Sequence, residues 1–333
     1  MRRFLPPVPA ILLAGILVLA GFASSGEPVR VVFDTDLGND VDDVMALAVL
    51  HALQSRGECR ILAVTLTNPD PWAGPFVDAI NTFYGRGDIP IGLRKEGKPE
   101  EESRFLKLVQ DRQDDKPVFP RDLDPAAAPE AVELLRKTLA DQPDQSVVLV
   151  QVGFSSNLVR LLESPADQDL VRRKVRRLVV MAGAFQAIDG EARYKEFNVV
   201  KDVASARKLA EEWPTPVVWS GFEIGKALPY PAASIERDFA YVPRHPVAEA
   251  SRLYDPPPAE RPTWDLTAAI AAVRPDHGYF QLSPPGQVVV EDDGFTRFTE
   301  QADGRHRLLV LDPAVAPRTR EALVMLVTQP PLP

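Results

Sequence analysis

The pattern of hydrophobic and polar positions changes period repeatedly along the chain. Short runs rich in β-branched residues predict strands at Val29–Phe33, Ile61–Thr65, Ser146–Val150, Arg177–Met181 and Pro216–Trp219. Apolar residues at helical spacing lie between them and predict helices at Val41–Leu53, Gly74–Tyr84, Pro129–Ala140, Asn157–Leu162 and Val203–Glu212. This alternation is typical of parallel strands joined by right-handed crossovers. We therefore expect an α/β fold, a single domain with a mostly parallel open sheet and helices on both faces.

Two segments interrupt the alternation. Residues 94–125 are rich in charge and proline, which predicts a loop and helix insertion on the surface. Residues 241–262 are again proline-rich, and we expect a long irregular excursion there, near the site.

Polar residues recur where the predicted strands end. Asp34-Thr35-Asp36 follows the first strand, Asn68 the second, Gly153 with Asn157 the third, and Gly183 the fourth. Open parallel sheets bind ligands at the carboxyl ends of their strands. The sequence therefore predicts a binding site at this edge.

The first of these loops is strongly acidic. Five carboxylates fall between Asp34 and Asp43. Their mutual repulsion is costly without a cation, and oxygen ligands favour a hard divalent ion such as Ca²⁺. A solvated helix N-cap would explain Asp40 or Asp42 but not Asp34 and Asp36 at a strand end. An EF-hand is a poor match, because its twelfth loop position requires Glu and Met45 stands there.

The N-terminus has the layout of a secretory signal. Arg2 and Arg3 precede an apolar run that ends in small residues at Ala23 to Ser25. We expect residues 1–25 to be a signal peptide and residues 26–333 to be the exported domain. An uncleaved membrane anchor is the alternative, since the run is nearly long enough to span a bilayer.

Composition narrows the class of protein. The chain has 333 residues, 45% of them hydrophobic, and a formal net charge of −9. It is long and apolar enough to bury a large core. The acidic balance argues against a nucleic-acid partner, which would require clustered Lys and Arg. The single Cys59 excludes an intramolecular disulfide.

Five motifs in order resemble those of the inosine-uridine preferring nucleoside hydrolases. The segment Asp34 to Leu47 resembles the N-terminal signature of that family, in a variant with a longer loop. The other four resemblances are Val152 to Leu158, Met181 to Phe185, Glu196-Phe197-Asn198 with Asp202 downstream, and Trp264-Asp265. The resemblance implies a Rossmann-like single domain, hydrolysis of a small-molecule nucleoside, and a homo-oligomer, either a dimer or a tetramer.

The resemblance also implies roles for individual residues. A Ca²⁺ would be held by four carboxylates and one backbone carbonyl: Asp34, Asp36, Asp43, Asp265 and the carbonyl of Val152. The substrate would be bound by Asp42, Asn68, Met181, Glu196, Asn198 and Trp264. Asp36 would be the general base that accepts a proton from the attacking water, and attack opposite the base would invert the anomeric centre.

The chain departs from the family pattern at the leaving group. The inosine-uridine branch has a His before the late Asp, and Trp264 stands there instead. The purine-preferring branch also has Trp-Asp, which suggests a purine bias through stacking of the indole on the base. Trp72 is a second candidate for stacking on the base, and His277 and His306 are candidates for the acid that protonates it. We expect His51 and His245 to lie at the surface.

Two other functions remain open. Val31 to Asp36 also resembles the first motif of haloacid-dehalogenase-type phosphatases, although Gly38 stands where that family has Thr or Val. The missing His is also compatible with a non-catalytic secreted protein that binds nucleoside or ribose.

Overall fold

The structure is a computed structural model that describes residues 26–99 and 101–332. The predicted signal peptide, residues 1–25, lies outside the described residues and stays a prediction. No helix within the described residues is long and apolar enough to span a membrane.

The centre of the fold is a ten-stranded sheet among the described residues. Its strands run in the order β11-β10-β12-β8-β7-β6-β1-β2-β3, and β9 pairs with β12. The bounds are β1 (Val29–Thr35), β2 (Cys59–Leu66), β3 (Ile91–Gly92), β6 (Val147–Gln151), β7 (Val175–Met181), β8 (Val217–Ser220), β9 (Gln281–Leu282), β10 (Gly286–Val290), β11 (Thr296–Glu300) and β12 (His306–Val310). The pairs from β3 to β12 along this order are parallel, and the pairs made by β9, β10 and β11 are antiparallel.

Helices cover both faces of the sheet. Their bounds are α1 (Asp42–Ser55), α2 (Ala73–Phe83), α3 (Ala131–Ala140), α4 (Ser156–Leu161), α5 (Pro165–Lys174), α6 (Phe197–Lys201), α7 (Val203–Glu212), α8 (Phe222–Lys226), α9 (Ala232–Arg237), α10 (Pro246–Tyr254), α11 (Trp264–Val273) and α12 (Ala316–Val327). Alternate strand residues enter separate cores, as Val31 and Phe33 pack with α1 and α11 while Val32 packs with α3 and α7. The predicted fold class is therefore confirmed.

The two interruptions behave differently. Residues 94–125 contain a 3-10 helix (Leu106–Gln110) and a small hairpin of β4 (Arg112–Gln113) and β5 (Lys116–Pro117), close to the expected insertion. The expectation of an irregular 241–262 is wrong in part, because α10 lies within it. Pro246 occupies the first turn of α10, where its missing N–H costs nothing, and the His245 side chain accepts a hydrogen bond from the N–H of Val247.

The surface assignment of His51 and His245 is wrong. Both are buried, and burial lowers the pKa of each to about 3. The His51 ring stacks on Tyr84 and lies 2.9 Å from the side-chain oxygen of Asn81. Every residue of α1 from Asp42 to Leu53 is buried, so His51 belongs to the core although it lies near the end of the helix.

Candidate active site

A cavity of about 380 Å³ opens at the carboxyl edge of the sheet. Its lining includes Asp36 after β1, Val152 after β6, Met181 at the end of β7, and Trp264 with Asp265 at the start of α11. Ligand sites in proteins typically have volumes of about 300–1,000 Å³. The loops after the parallel strands therefore form a site at the predicted edge.

Two helix N-termini bring three carboxylates together. Asp42 and Asp43 are the first two residues of α1, Asp265 is the second residue of α11, and these helices pack against each other. Carboxylate oxygens of the three residues lie within 4.8 Å of one another, and all three side chains are buried. The Asp265 N–H donates to Asp42 Oδ2 at 3.1 Å. Burial, reinforced by the neighbouring carboxylates, raises the pKa of each well above its usual range.

This arrangement fits a hard metal ion. The side-chain atoms that these three residues offer to a metal are all carboxylate oxygens, the ligand type that Ca²⁺ and Mg²⁺ prefer. Thr35 donates its hydroxyl hydrogen to one oxygen of Asp43, while the other oxygen, Oδ2, is buried without a hydrogen-bond partner among the described residues. Unpaired buried carboxylate oxygens are costly, so a cation is the natural partner. Asp42, Asp43 and Asp265 can therefore hold a metal.

The other two predicted carboxylate ligands, Asp36 and Asp34, differ in their access to the cavity. Asp36 lines the cavity, accepts a hydrogen bond from Asn39 Nδ2 at 2.7 Å, and has its pKa raised by burial to about 6. Asp34 lies behind the wall, where Thr65 and Asn157 donate to its Oδ1 at 2.6 and 2.8 Å. Burial raises the pKa of Asp34 to about 7, and its Oδ2 has no hydrogen-bond partner among the described residues.

The loop after β6 makes a close approach to Asp36. A Cβ atom on Gly153 would lie 2.4 Å from the backbone nitrogen of Asp36, which leaves no room for any other residue. The glycine therefore lets the loop after β6 pack directly against the acidic loop.

Glu196 and Asn198 form another part of the cavity wall. Glu196 Oε1 accepts from the N–H of Asn198 at 2.8 Å, and its Oε2 accepts from the N–H of Gly183 at 3.0 Å. Burial raises the pKa of Glu196 to about 7. Asn198 Nδ2 donates to the carbonyls of Val152 and Met181 at 2.8 and 3.3 Å. One carboxamide thus joins the ends of β6 and β7.

The Asn68 side chain is hydrogen-bonded to the backbone of the acidic loop and does not line the cavity. It is buried beside the acidic loop, where its Nδ2 contacts the carbonyl of Leu37 at 3.3 Å, and it is not among the cavity-lining residues. Its role as a substrate ligand stays a prediction.

A cationic and aromatic wall completes the cavity. The Trp264 ring lies 4.8 Å from the Phe222 ring, which lies 4.5 Å from Tyr194, and Trp264 Nε1 donates to the Phe222 carbonyl at 2.9 Å. Arg261 lies over Trp264 and Tyr254. The candidates Trp72, His277 and His306 do not line the cavity.

Sequence reasoning missed most of this wall. Tyr194, Phe222, Tyr254 and Arg261 all line the cavity, yet none falls in a chemically distinctive motif. The one available signal was proximity to a motif, since Tyr194 precedes Glu196 by two positions and Arg261 precedes Trp264 by three.

Comparison with known proteins identifies the family. Residues 31–316 match the inosine-uridine preferring nucleoside hydrolases, a span that contains every predicted site residue. The chain belongs to this family. The motif resemblance is thus confirmed, as is the enzyme class at the level of the family, and the family match argues against the phosphatase hypothesis.

Solved nucleoside hydrolases share the fold. A plant nucleoside hydrolase has 21% identity and a TM-score of 0.68, covering 91% of this chain and 100% of that one. The purine-preferring ribonucleoside hydrolase from Gardnerella vaginalis has 17% identity and a TM-score of 0.69, covering 90% and 98%. An inosine-uridine preferring nucleoside hydrolase from Bacillus anthracis has 19% identity and a TM-score of 0.66, covering 90% and 99%. A search of curated protein sequences finds no match.

Proposed function

We propose that this nucleoside hydrolase is a Ca²⁺-dependent N-ribohydrolase that cleaves purine nucleosides in preference to pyrimidine nucleosides. The observation that carries the proposal is that the same cavity is lined by two unlike groups of side chains. Its buried carboxylates are suited to a cation and sugar hydroxyls, and its aromatic rings are suited to a flat base.

The metal ligands in this proposal are Asp36, Asp43, Asp265 and the Val152 carbonyl. Asp34 was also predicted as a ligand; its Oδ1 is fixed by Thr65 and Asn157, its Oδ2 has no hydrogen-bond partner among the described residues, and its role as a metal ligand stays a prediction. When bound, Ca²⁺ would supply a positive charge that offsets the carboxylates, attracts the ribose hydroxyls and makes water more acidic.

The chain's own groups bind the sugar and move the proton. Asp42, Glu196 and Asn198 hydrogen-bond the ribose hydroxyls, and Met181 packs beside the ring. Asp36 accepts a proton from the attacking water, a role suited to a carboxylate whose pKa is raised toward neutral pH. The surrounding negative charge stabilises the oxocarbenium-like transition state, and attack on the face opposite the base inverts the anomeric centre.

The test is release of reducing ribose from inosine, adenosine, uridine and cytidine, with and without EDTA. We expect turnover of purine nucleosides that EDTA abolishes and added Ca²⁺ restores. The absence of a His before Asp265 motivates the alternative of a binding protein without activity. Tight binding of ribose with Ca²⁺, but no turnover of any nucleoside, would favour that alternative and contradict the enzymatic proposal.

Export and self-association belong to the same proposal. The basic and apolar layout of residues 1–25 supports export, and the family resemblance supports a homodimer or homotetramer. Native mass spectrometry of protein expressed from the whole gene checks both. We expect mature chains that begin near Gly26, in dimers or tetramers. A membrane-bound chain that retains Met1 would show that the segment is an anchor.

A further inference from the structure

Arg261 occupies an unusual position in the cavity wall. Its guanidinium carbon lies 4.9 Å from the centre of the Tyr254 ring and 5.0 Å from the Trp264 ring. Its side chain is 18% exposed and lines the cavity. Cation–π contacts of this kind stabilise a guanidinium in a defined orientation. Arg261 is therefore a held group rather than a freely moving surface cation.

Two carboxylates fix the same side chain from the other direction. Arg261 Nη1 contacts Asp255 Oδ2 at 3.2 Å, and Nη2 pairs with Asp40 Oδ2. A guanidinium carries five N–H donors, two on each terminal nitrogen. One pairing on each terminal nitrogen therefore leaves further donors for a ligand.

Arg261 lies against Trp264, the candidate residue for stacking on the base. It precedes the first residue of α11 by three positions, and Trp264 occupies the position where the family resemblance implies a His that protonates the base. If the carboxylates hold the ribose, the base extends toward the wall made by Trp264 and Arg261. This step rests on the proposed function.

We propose that Arg261 is the base-subsite residue that stabilises the departing base by hydrogen bonding, in place of a protonating His. As the N-glycosidic bond breaks, its electron pair moves to the base, the water oxygen bonds to the anomeric carbon, and Asp36 takes the water proton. The base leaves as an anion held by the N–H donors of Arg261, and then takes a proton from solvent. An arginine remains protonated throughout, so it contributes charge and donors rather than a proton.

The same chemistry selects a class of base. A guanidinium group can donate two hydrogen bonds to a 6-oxopurine, one to O6 and one to N7, in a bidentate contact. Adenosine presents an amino donor at the corresponding position. The expected substrates are thus inosine and guanosine, ahead of adenosine.

The test compares two leaving groups in variants of Arg261. The base of inosine is a poor leaving group unless its negative charge is stabilised. The p-nitrophenyl riboside releases a nitrophenolate, which is a stable anion in water. R261Q removes the charge, and R261K keeps the charge for Asp40 and Asp255 but loses the planar donors. Arg244→Lys is the matched control, because Arg244 also pairs with two carboxylates, Asp111 and Glu249, and lies over a ring but outside the cavity.

We expect R261Q to lower kcat/KM for inosine roughly 10²-fold and that for p-nitrophenyl riboside less than about threefold, with R261K intermediate. The preference for inosine over adenosine should shrink in both variants, and Arg244→Lys should match the wild type. The ratio between leaving groups does not depend on how much protein is folded.

Each contrary outcome has a distinct meaning. Equal losses for both leaving groups would assign Arg261 to packing or sugar binding and overturn this inference, while the proposed function would stand. No turnover of either substrate by the wild-type protein with Ca²⁺ would overturn the proposed function and this inference together.

Discussion

Replacing Asp36 with asparagine should lower kcat for inosine by about 10³-fold while the protein stays folded. Asp36 lines the cavity with 4% of its surface exposed, and the Asn39 amide holds one of its oxygens at 2.7 Å. Burial raises its pKa to about 6, which lets it accept a proton near neutral pH. An asparagine of the same shape keeps the packing but cannot accept that proton.

Measurements on D36N must separate the base role from metal binding. Steady-state kinetics give kcat, calorimetry gives Ca²⁺ affinity, and thermal unfolding reports the fold. Asp167→Asn is the control, because Asp167 is a buried carboxylate that pairs with Arg136 outside the cavity. A D36N protein that binds Ca²⁺ and retains wild-type kcat would remove Asp36 from the chemistry.

The core of the fold was readable from local patterns. The segments Val31 to Phe33 of β1 and Val147 to Val150 of β6 are continuous apolar runs that are buried, and α1 joins an acidic first turn to an apolar body. These signals depend on neighbouring residues alone. The shared location of the polar residues at the strand ends could also be predicted, because a parallel sheet places the carboxyl ends of its strands at one edge.

The remaining features depend on partners far away in sequence. Arg261 pairs with Asp40 across 221 positions, and no local pattern of either residue indicates the other. His306 looked available for chemistry, yet it is buried in β12 where its Nδ1 accepts the Val288 N–H at 3.0 Å. The antiparallel strand β11 escaped prediction because its exposed polar residues resemble loop sequence, whereas the valine run of β10 was a readable strand signal that was missed.

Calcium should stabilise the protein by about 4 kcal/mol when its concentration is a thousand times its dissociation constant. The physical reason is the crowding of buried carboxylates, since burial raises the pKa values of Asp42, Asp43 and Asp265 and the nearby Asp36 carboxylate raises all three further. Binding to the folded chain alone shifts unfolding upward, here by roughly 5–10 °C in Tm. Asp43→Asn and Asp265→Asn should lose most of this shift, whereas Asp144→Asn, at a surface pair with Lys174, should keep it.

The calcium effect should grow as the pH rises from 5.5 to 7.5. Burial raises the pKa of Asp36 to about 6 and the pKa values of Asp43 and Asp265 well above their usual range, so without metal the folded chain holds protons that the unfolded chain loses near pH 4. Stability from that difference is present at low pH and is lost as the pH rises toward 7. Buried His51 and His245, with lowered pKa values, act in the opposite direction.

Comparing Tm with Ca²⁺ and with EDTA at each pH separates the two contributions, because the histidines are the same in both samples while the metal binds only deprotonated carboxylates. The gap between the two Tm values should therefore widen with pH. A Tm difference of the same size at pH 5.5 and 7.5 would show that the buried carboxylates do not bind the ion and that the metal site lies elsewhere.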